Sequence, residues 1–157
     1  MKKQAGGRPL DLEALPGHYI RRLQQIAVAV FLQETEAHGV TPVQYAAMNH
    51  VAKAPGVDQR SLARAIGQDT STIAGVIDRL EARGLVQRQT SPDDRRVRQL
   101  SLTDAGRELL AAIEPDIVKA QERMLHPLNK SERAEFMRML RAVVAANNEL
   151  SRAPGEV

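Results

Sequence analysis

The chain has no cysteine, and only four of its 157 residues are aromatic: Tyr19, Phe31, Tyr45 and Phe136. Without cysteine there is no disulfide, no thiolate metal ligand, no cysteine nucleophile and no thiol redox sensor. With so few rings the core must be assembled from Leu, Ile, Val, Ala and Met, which suits packed helices. Long apolar runs are also missing. No stretch approaches the roughly 18 residues of a membrane span. The opening MKKQAGGRPLDLEALPG lacks the apolar centre of a signal peptide, so the expected compartment is the cytoplasm. His18, His38, His50 and His126 form no pair at ligand spacing along one helix. Neither a Ser-His-Asp spacing nor a phosphate-cradling glycine loop is present. The sequence therefore predicts neither an enzyme, nor a metal site, nor a bound cofactor.

What is present begins with the placement of charge. The net charge is only +3, from 22 basic and 19 acidic side chains. Between Arg79 and Arg98, however, Arg79, Arg83, Arg88, Arg95, Arg96 and Arg98 stand against Glu81, Asp93 and Asp94. The positive excess of the whole chain thus sits in one short segment. A local basic stripe is the electrostatic footprint of a nucleic-acid binder, although alone it also describes a solvated surface.

Apolar periodicity organises the chain as one domain with helical extensions. Residues 1–10 are rich in Gly and Lys and are expected to be disordered. Leu15, Tyr19, Leu23, Ile26, Val30 and Phe31 mark a first helix over about 12–37, with Pro16 near its start or separating a short leading turn. Thr41, Pro42 and Gln44 form the capping box of a second helix that runs to about residue 54. Asp58 caps a short third helix closed by Gly67. A fourth spans about 71–83, with Gly84 as its left-handed cap. Two strands follow, about 85–89 and 98–102, with Val86, Leu100 and Leu102 facing inward and Arg88, Arg98 and Gln99 or Ser101 meeting solvent. Thr103 and Asp104 open a fifth helix that contains Pro115, expected to kink it. Asn129 and Glu132 cap a sixth helix carrying Phe136, Leu140, Val143 and Val144.

The fourth helix decides between a solvated surface and a nucleic-acid surface. Ile73, Val76, Ile77 and Leu80 fall on one side of its wheel and form the buried stripe. The other side presents Ser71, Gly75, Asp78 and Ala82, flanked by Thr72 and Arg79. No large apolar group stands there, so this face can lie close in a major groove about 12 Å wide. Asp69, Thr70, Ser71 and Thr72 crowd the helix start, which suits N-capping, and the hydroxyls of Thr70, Ser71 and Thr72 also reach phosphates or base edges. The strand pair that follows is a wing. Arg95 and Arg96 at its tip suit the narrow minor groove, and Arg98 on the following strand is a further DNA-binding candidate. Asp93 or Asp94 can brace one arginine and leave the other free.

These residues resemble a family. SLARAIGQDTSTIAGVIDRLEARGLVQRQTSPDDRRVRQLSLTDAGREL is similar to the winged helix-turn-helix of the MarR family of bacterial regulators. The most specific part is SPDDRRVRQLSLTDAG, which follows that family's wing pattern of Asp-Arg-Arg and then Leu-Thr-x-x-Gly; DRLEARGLV fits as well. The flanking helices extend the resemblance over about 12–148. It implies a mainly α fold with a small β-hairpin wing, divided into a dimerisation helix (11–40), a winged helix-turn-helix (41–103), C-terminal dimerisation helices (104–150) and a tail (151–157). It also implies a homodimer on a pseudo-palindrome of double-stranded DNA with half-sites about 10 bp apart, usually a repressor released by a small ligand. The sequence supports the dimer independently, because the terminal helices carry more apolar stripe than one small domain covers.

For the releasing ligand, the residues point to an aromatic carboxylate. His18 and Arg22 share a face of the first helix beside Tyr19, and Arg22 offers a bidentate fork for a carboxylate. Tyr19, Tyr45 and Met48 can wall a ring, and His50 can give a directional hydrogen bond; each of them also suits an ordinary core or ion-pair role. The segment PGHYIRRLQQIAVAVFLQETE is similar to family regulators of aromatic or nicotinate-type acid breakdown, which implies a ligand such as a hydroxybenzoate or hydroxynicotinate. The alternatives are a winged helix used for protein contacts, whose exposed face should then be apolar, and a metal-responsive regulator.

Overall fold

The computed structural model describes residues 10–91, 97–151 and 153–155. Asp93, Asp94, Arg95 and Arg96, assigned above to the wing tip, lie outside the described residues, as do residues 1–9 of the expected disordered segment. The elements are α1 (Pro16–Glu34), α2 (Pro42–Lys53), β1 (Val57–Asp58), α3 (Gln59–Ala65), α4 (Thr70–Ala82), β2 (Val86–Thr90), β3 (Arg98–Leu102), α5 (Asp104–Met124) and α6 (Lys130–Asn147). Among the described residues, no helix is long and apolar enough to cross a membrane.

Local chemistry explains most boundaries. The helix expected over 12–37 divides into a 3-10 turn at Leu12–Ala14, α1, and a second 3-10 turn at Glu36–His38. Pro16 causes the first break: it disfavours helical backbone at the preceding residue, and Leu15 is extended. At the other end the Thr35 hydroxyl donates to the Phe31 carbonyl at 2.8 Å, and Gly39 turns the chain away with φ +59. Both expected capping boxes form, Thr41 with Gln44 and Asn129 with Glu132. α5 continues through Pro115.

The sheet has three strands in the order β1-β3-β2 rather than two. β2 and β3 are antiparallel neighbours, with Val86 opposite Leu102 and Thr90 opposite Arg98. β1 was not anticipated, because two residues carry no period; it exists through its pairing to β3, Val57 opposite Leu100. The core lies between this sheet and α2, α3 and α4, around Met48, Leu62, Ile73, Ile77, Leu80 and Leu100.

α1 packs along α5 as a second layer. Glu34 at the end of α1 meets Lys119 Nζ at 2.6 Å and Arg123 Nη1 at 2.7 Å. Hydrogen bonds from Lys119 and then Arg123 hold its carboxyl below the ordinary range. α6 buries none of its residues within the chain.

One glycine joins the wing to α5. Thr103 caps α5 by accepting from the Gly106 N–H at 3.0 Å, and its hydroxyl donates to the Gly84 carbonyl at 2.6 Å. This seats the first turn of α5 on the Leu85 carbonyl, and a Cβ at Gly106 would lie 2.0 Å from that oxygen. The Leu-Thr-x-x-Gly motif is therefore a cap plus a backbone-to-backbone contact. We expect Gly106→Ala to destabilise the chain by about 2 kcal/mol or more, a fall of several degrees in melting temperature for a chain of this size. An unchanged melting curve would show that the junction yields freely.

Candidate nucleic-acid interface and effector clefts

The anticipated buried stripe of α4 is the one observed: Ile73, Val76, Ile77 and Leu80 are all inside the core. Thr70, Ser71, Thr72, Asp78 and Arg79 are exposed, and Gly75 is half-buried. The Arg79 guanidinium folds back over Gly75, its Nη1 3.6 Å from where a Cβ would stand. The outward face is therefore slim, polar and cationic at its centre.

The start of α4 is organised by Asp69. Its carboxylate accepts the Ser71 hydroxyl at 2.5 Å, the Thr72 hydroxyl at 2.7 Å and the Thr72 N–H at 2.8 Å. Those bonds, Ser71 first and Thr72 next, hold the carboxyl well below the usual range. A depressed carboxyl stabilises the fold in its charged form, so the cap's contribution is present above the ordinary Asp range and is lost as pH falls below it. Ser71 and Thr72 thus donate their protons internally and face outward as acceptors, whereas among the described residues no such bond restrains Thr70.

Two further arginines orient the unit. Arg88 on β2 reaches α4, with Nη2 2.6 Å from Asp78 Oδ1 and Nη1 2.5 Å from Glu81 Oε2. This two-carboxylate clamp fixes the base of the wing to α4 and neutralises Asp78, the one acid on the outward face singled out above. Arg83, at the end of α4, donates to the carbonyls of Gly39 at 2.7 Å and His38 at 3.1 Å. His38 Nε2 lies in turn 2.9 Å from Asp116 Oδ2 on α5. In the sequence Arg83 counts only as charge and Arg88 is expected to meet solvent; the Arg88 guanidinium is drawn onto α4 instead. Arg98 bonds across the wing to the Thr90 hydroxyl at 3.2 Å.

The six residues considered for a carboxylate ligand separate into two groups within one chain. His18, Tyr19 and Arg22 stand together near the start of α1, with the His18 and Tyr19 rings edge-to-face at 5.5 Å. Tyr19 and Arg22 line an apolar cleft with Pro16, Ile20, Phe136 and Leu140. Tyr45 packs on Phe31 at 6.0 Å and lines a different cleft with Asn49, Arg107 and Glu114, between α2 and α5. Met48 is a core residue, 1% exposed, and His50 is half-buried near the end of α2.

Known proteins share this fold. A family model described as the MarR family matches residues 38–97. The HTH-type transcriptional repressor NicR of Pseudomonas putida is 32% identical over 136 residues, 87% of this chain and 86% of that protein. The chain is also similar to the structure of Bordetella bronchiseptica BpsR, solved to explain regulation of its DNA binding by 6-hydroxynicotinic acid. There the TM-score is 0.82 and the identity 29%, over 87% of this chain and 97% of that one. The structure of the transcriptional repressor CouR bound to a 23-mer DNA duplex gives a TM-score of 0.81 at 29% identity, covering 87% of this chain and 99% of the other.

Proposed function

The chain belongs to the MarR family of transcriptional regulators, and on that premise we propose that it is a homodimeric repressor, released from a pseudo-palindromic operator by a small aromatic or heteroaromatic carboxylate. The observation that carries the DNA reading is the outward face of α4, which is polar, slim and centred on Arg79, and is braced by Arg88 against the base of the wing. A winged helix used for protein contacts would instead need an apolar face there. In this reading Thr70, Ser71, Thr72 and Gly75 approach the major groove, Arg79 and Arg98 meet phosphates, and Arg95 and Arg96, braced by Asp93 or Asp94, serve the minor groove. Replacing Arg79 by Ala should weaken binding to all duplexes alike and reduce the magnitude of the salt slope by about two units, one for each protomer of the dimer. Sequence-selective loss without a change of slope would place Arg79 on a base instead.

The dimer reading rests on apolar side chains left in solvent. Tyr19, Ile20 and Ile26 on α1, and Met139, Val143 and Val144 on α6, are all exposed in the single chain, more apolar surface than isolated soluble helices usually show. The effector reading rests on Arg22 and Tyr19 at the edge of the α1–α6 cleft, with His18 alongside; Tyr45, Met48 and His50 would act from α2. Regulation of BpsR by 6-hydroxynicotinic acid supports a hydroxylated ring acid. A thermal-shift series of hydroxybenzoates and hydroxynicotinates tests it, because a ligand that prefers the native protein raises its melting temperature. We expect Arg22→Ala to keep DNA affinity and lose that shift. A shift retained in full would put the carboxylate elsewhere.

A further inference from the structure

The end of the chain returns to the helix-turn-helix. After α6 a 3-10 turn at Asn148–Leu150 bends the backbone back. The Asn148 side chain then brackets Gly155: Nδ2 donates to the Gly155 carbonyl at 2.8 Å, and the Gly155 N–H donates to Oδ1 at 3.0 Å. One amide side chain thereby satisfies both backbone groups of a single residue, as a neighbouring strand would. Bracketed in this way, Gly155 lies on the turn between α3 and α4. A Cβ there would stand 3.4 Å from the Arg64 carbonyl oxygen and 3.4 Å from Gly67 Cα. Gly67 needs its own glycine, with φ +63, and the Ala153 carbonyl oxygen lies 3.8 Å from where its Cβ would be. Two glycines thus meet backbone to backbone. Below them Ile66 of the turn and Val143, Val144 and Leu150 line a shared apolar cleft.

We propose that the contact between Asn148, Gly155 and Gly67 is a strap that fixes the helix-turn-helix against α6 and so sets the half-site spacing the dimer reads. Asn148 and Gly155 are then positioning residues that touch no DNA. The proposal rests on the operator-binding reading above. Its physical basis is a count of anchors. The DNA-reading unit joins the dimerisation helices covalently at α1 and at α5, and both joints lie by the end of α4, where Arg83 holds the Gly39 and His38 carbonyls and Gly106 rests on Leu85; a unit held at one end can pivot. The strap adds an anchor at the opposite side, next to the start of α4, the end of that helix that addresses base edges. An asparagine bracket and a glycine contact hold that angle without adding to the core.

The test uses a duplex selected by the wild-type protein from a randomised library, then rebuilt with one base pair inserted or removed between the half-sites. Each such change rotates one half-site by about 35°. Wild-type protein should reject the altered spacings. In Asn148→Ala and in Gly155→Val the ratio of affinities for original over altered spacing should fall by about threefold or more, with the dimer intact. A ratio equal to the wild type's in both variants overturns the strap, whatever their stability. If the wild type selects no duplex, the operator-binding reading itself fails, and amide exchange then decides the strap alone. The Gly67 and Gln68 amides, bonded to Arg64 and Ala63 carbonyls at 3.1 and 2.9 Å, should exchange faster in Asn148→Ala. Unchanged rates overturn the contact.

Discussion

Replacing Arg95 and Arg96 together by alanine is expected to lower operator affinity by about a hundredfold or more while leaving the melting temperature within a degree or two of the wild type. The size follows from the proposed symmetry, because a dimer would lose four guanidinium groups at once, two from each wing. In the narrow groove, where the potential of DNA is most negative, each is worth more than a surface ion pair. Stability should hardly change, since the core is built from apolar residues such as Met48, Leu62, Ile77 and Leu100. A gel-shift titration beside a thermal melt separates the two effects. Unchanged affinity would remove the wing from the DNA contact and leave α4 alone.

Glutamate at Ile20 and Val144 is expected to convert the proposed dimer to monomer and to abolish tight operator binding with it. Both side chains are more than half exposed in the single chain, 58% and 59%, so a charge there costs the isolated fold little. Across a two-fold interface each substitution occurs twice, and burying unpaired carboxylates costs about 3 kcal/mol or more, over a hundredfold in the dimer constant. Losing the second half-site then removes an avidity of about 10² or more. Sedimentation velocity reads the first effect and a binding titration the second. A variant that sediments as dimer would place the interface elsewhere than α1 and α6.

Much of the fold could be read in the sequence where short-range chemistry decides it. Thr41 with Gln44, Asn129 with Glu132, Asp69 at the start of α4, and Gly84, with φ +69, each act within a few residues of themselves. The stripe of α4 and the inward Val86, Leu100 and Leu102 follow from period alone. What escaped depends on separation. β1 exists because Val57 meets Leu100. Arg83 reaches carbonyls 44 and 45 positions earlier in the chain, and Arg88 finds Asp78 and Glu81 only once the wing folds against α4. Gly106 was part of a recognised motif, but the Leu85 oxygen that requires it appears only in three dimensions. The ligand set was the hardest. Tyr19, Tyr45 and Met48 look alike as ring-walling side chains in a linear reading, yet packing sends Met48 into the core and leaves the two tyrosines in separate clefts.

The most direct measurement is fluorescence anisotropy of a labelled duplex titrated with the protein across a series of salt concentrations, starting in dilute buffer. A DNA-reading face built from α4 and the wing predicts binding whose log affinity falls linearly with log salt, with a slope of several phosphate contacts, and which Arg79→Ala makes shallower. No affinity for duplex DNA at the lowest salt would contradict it.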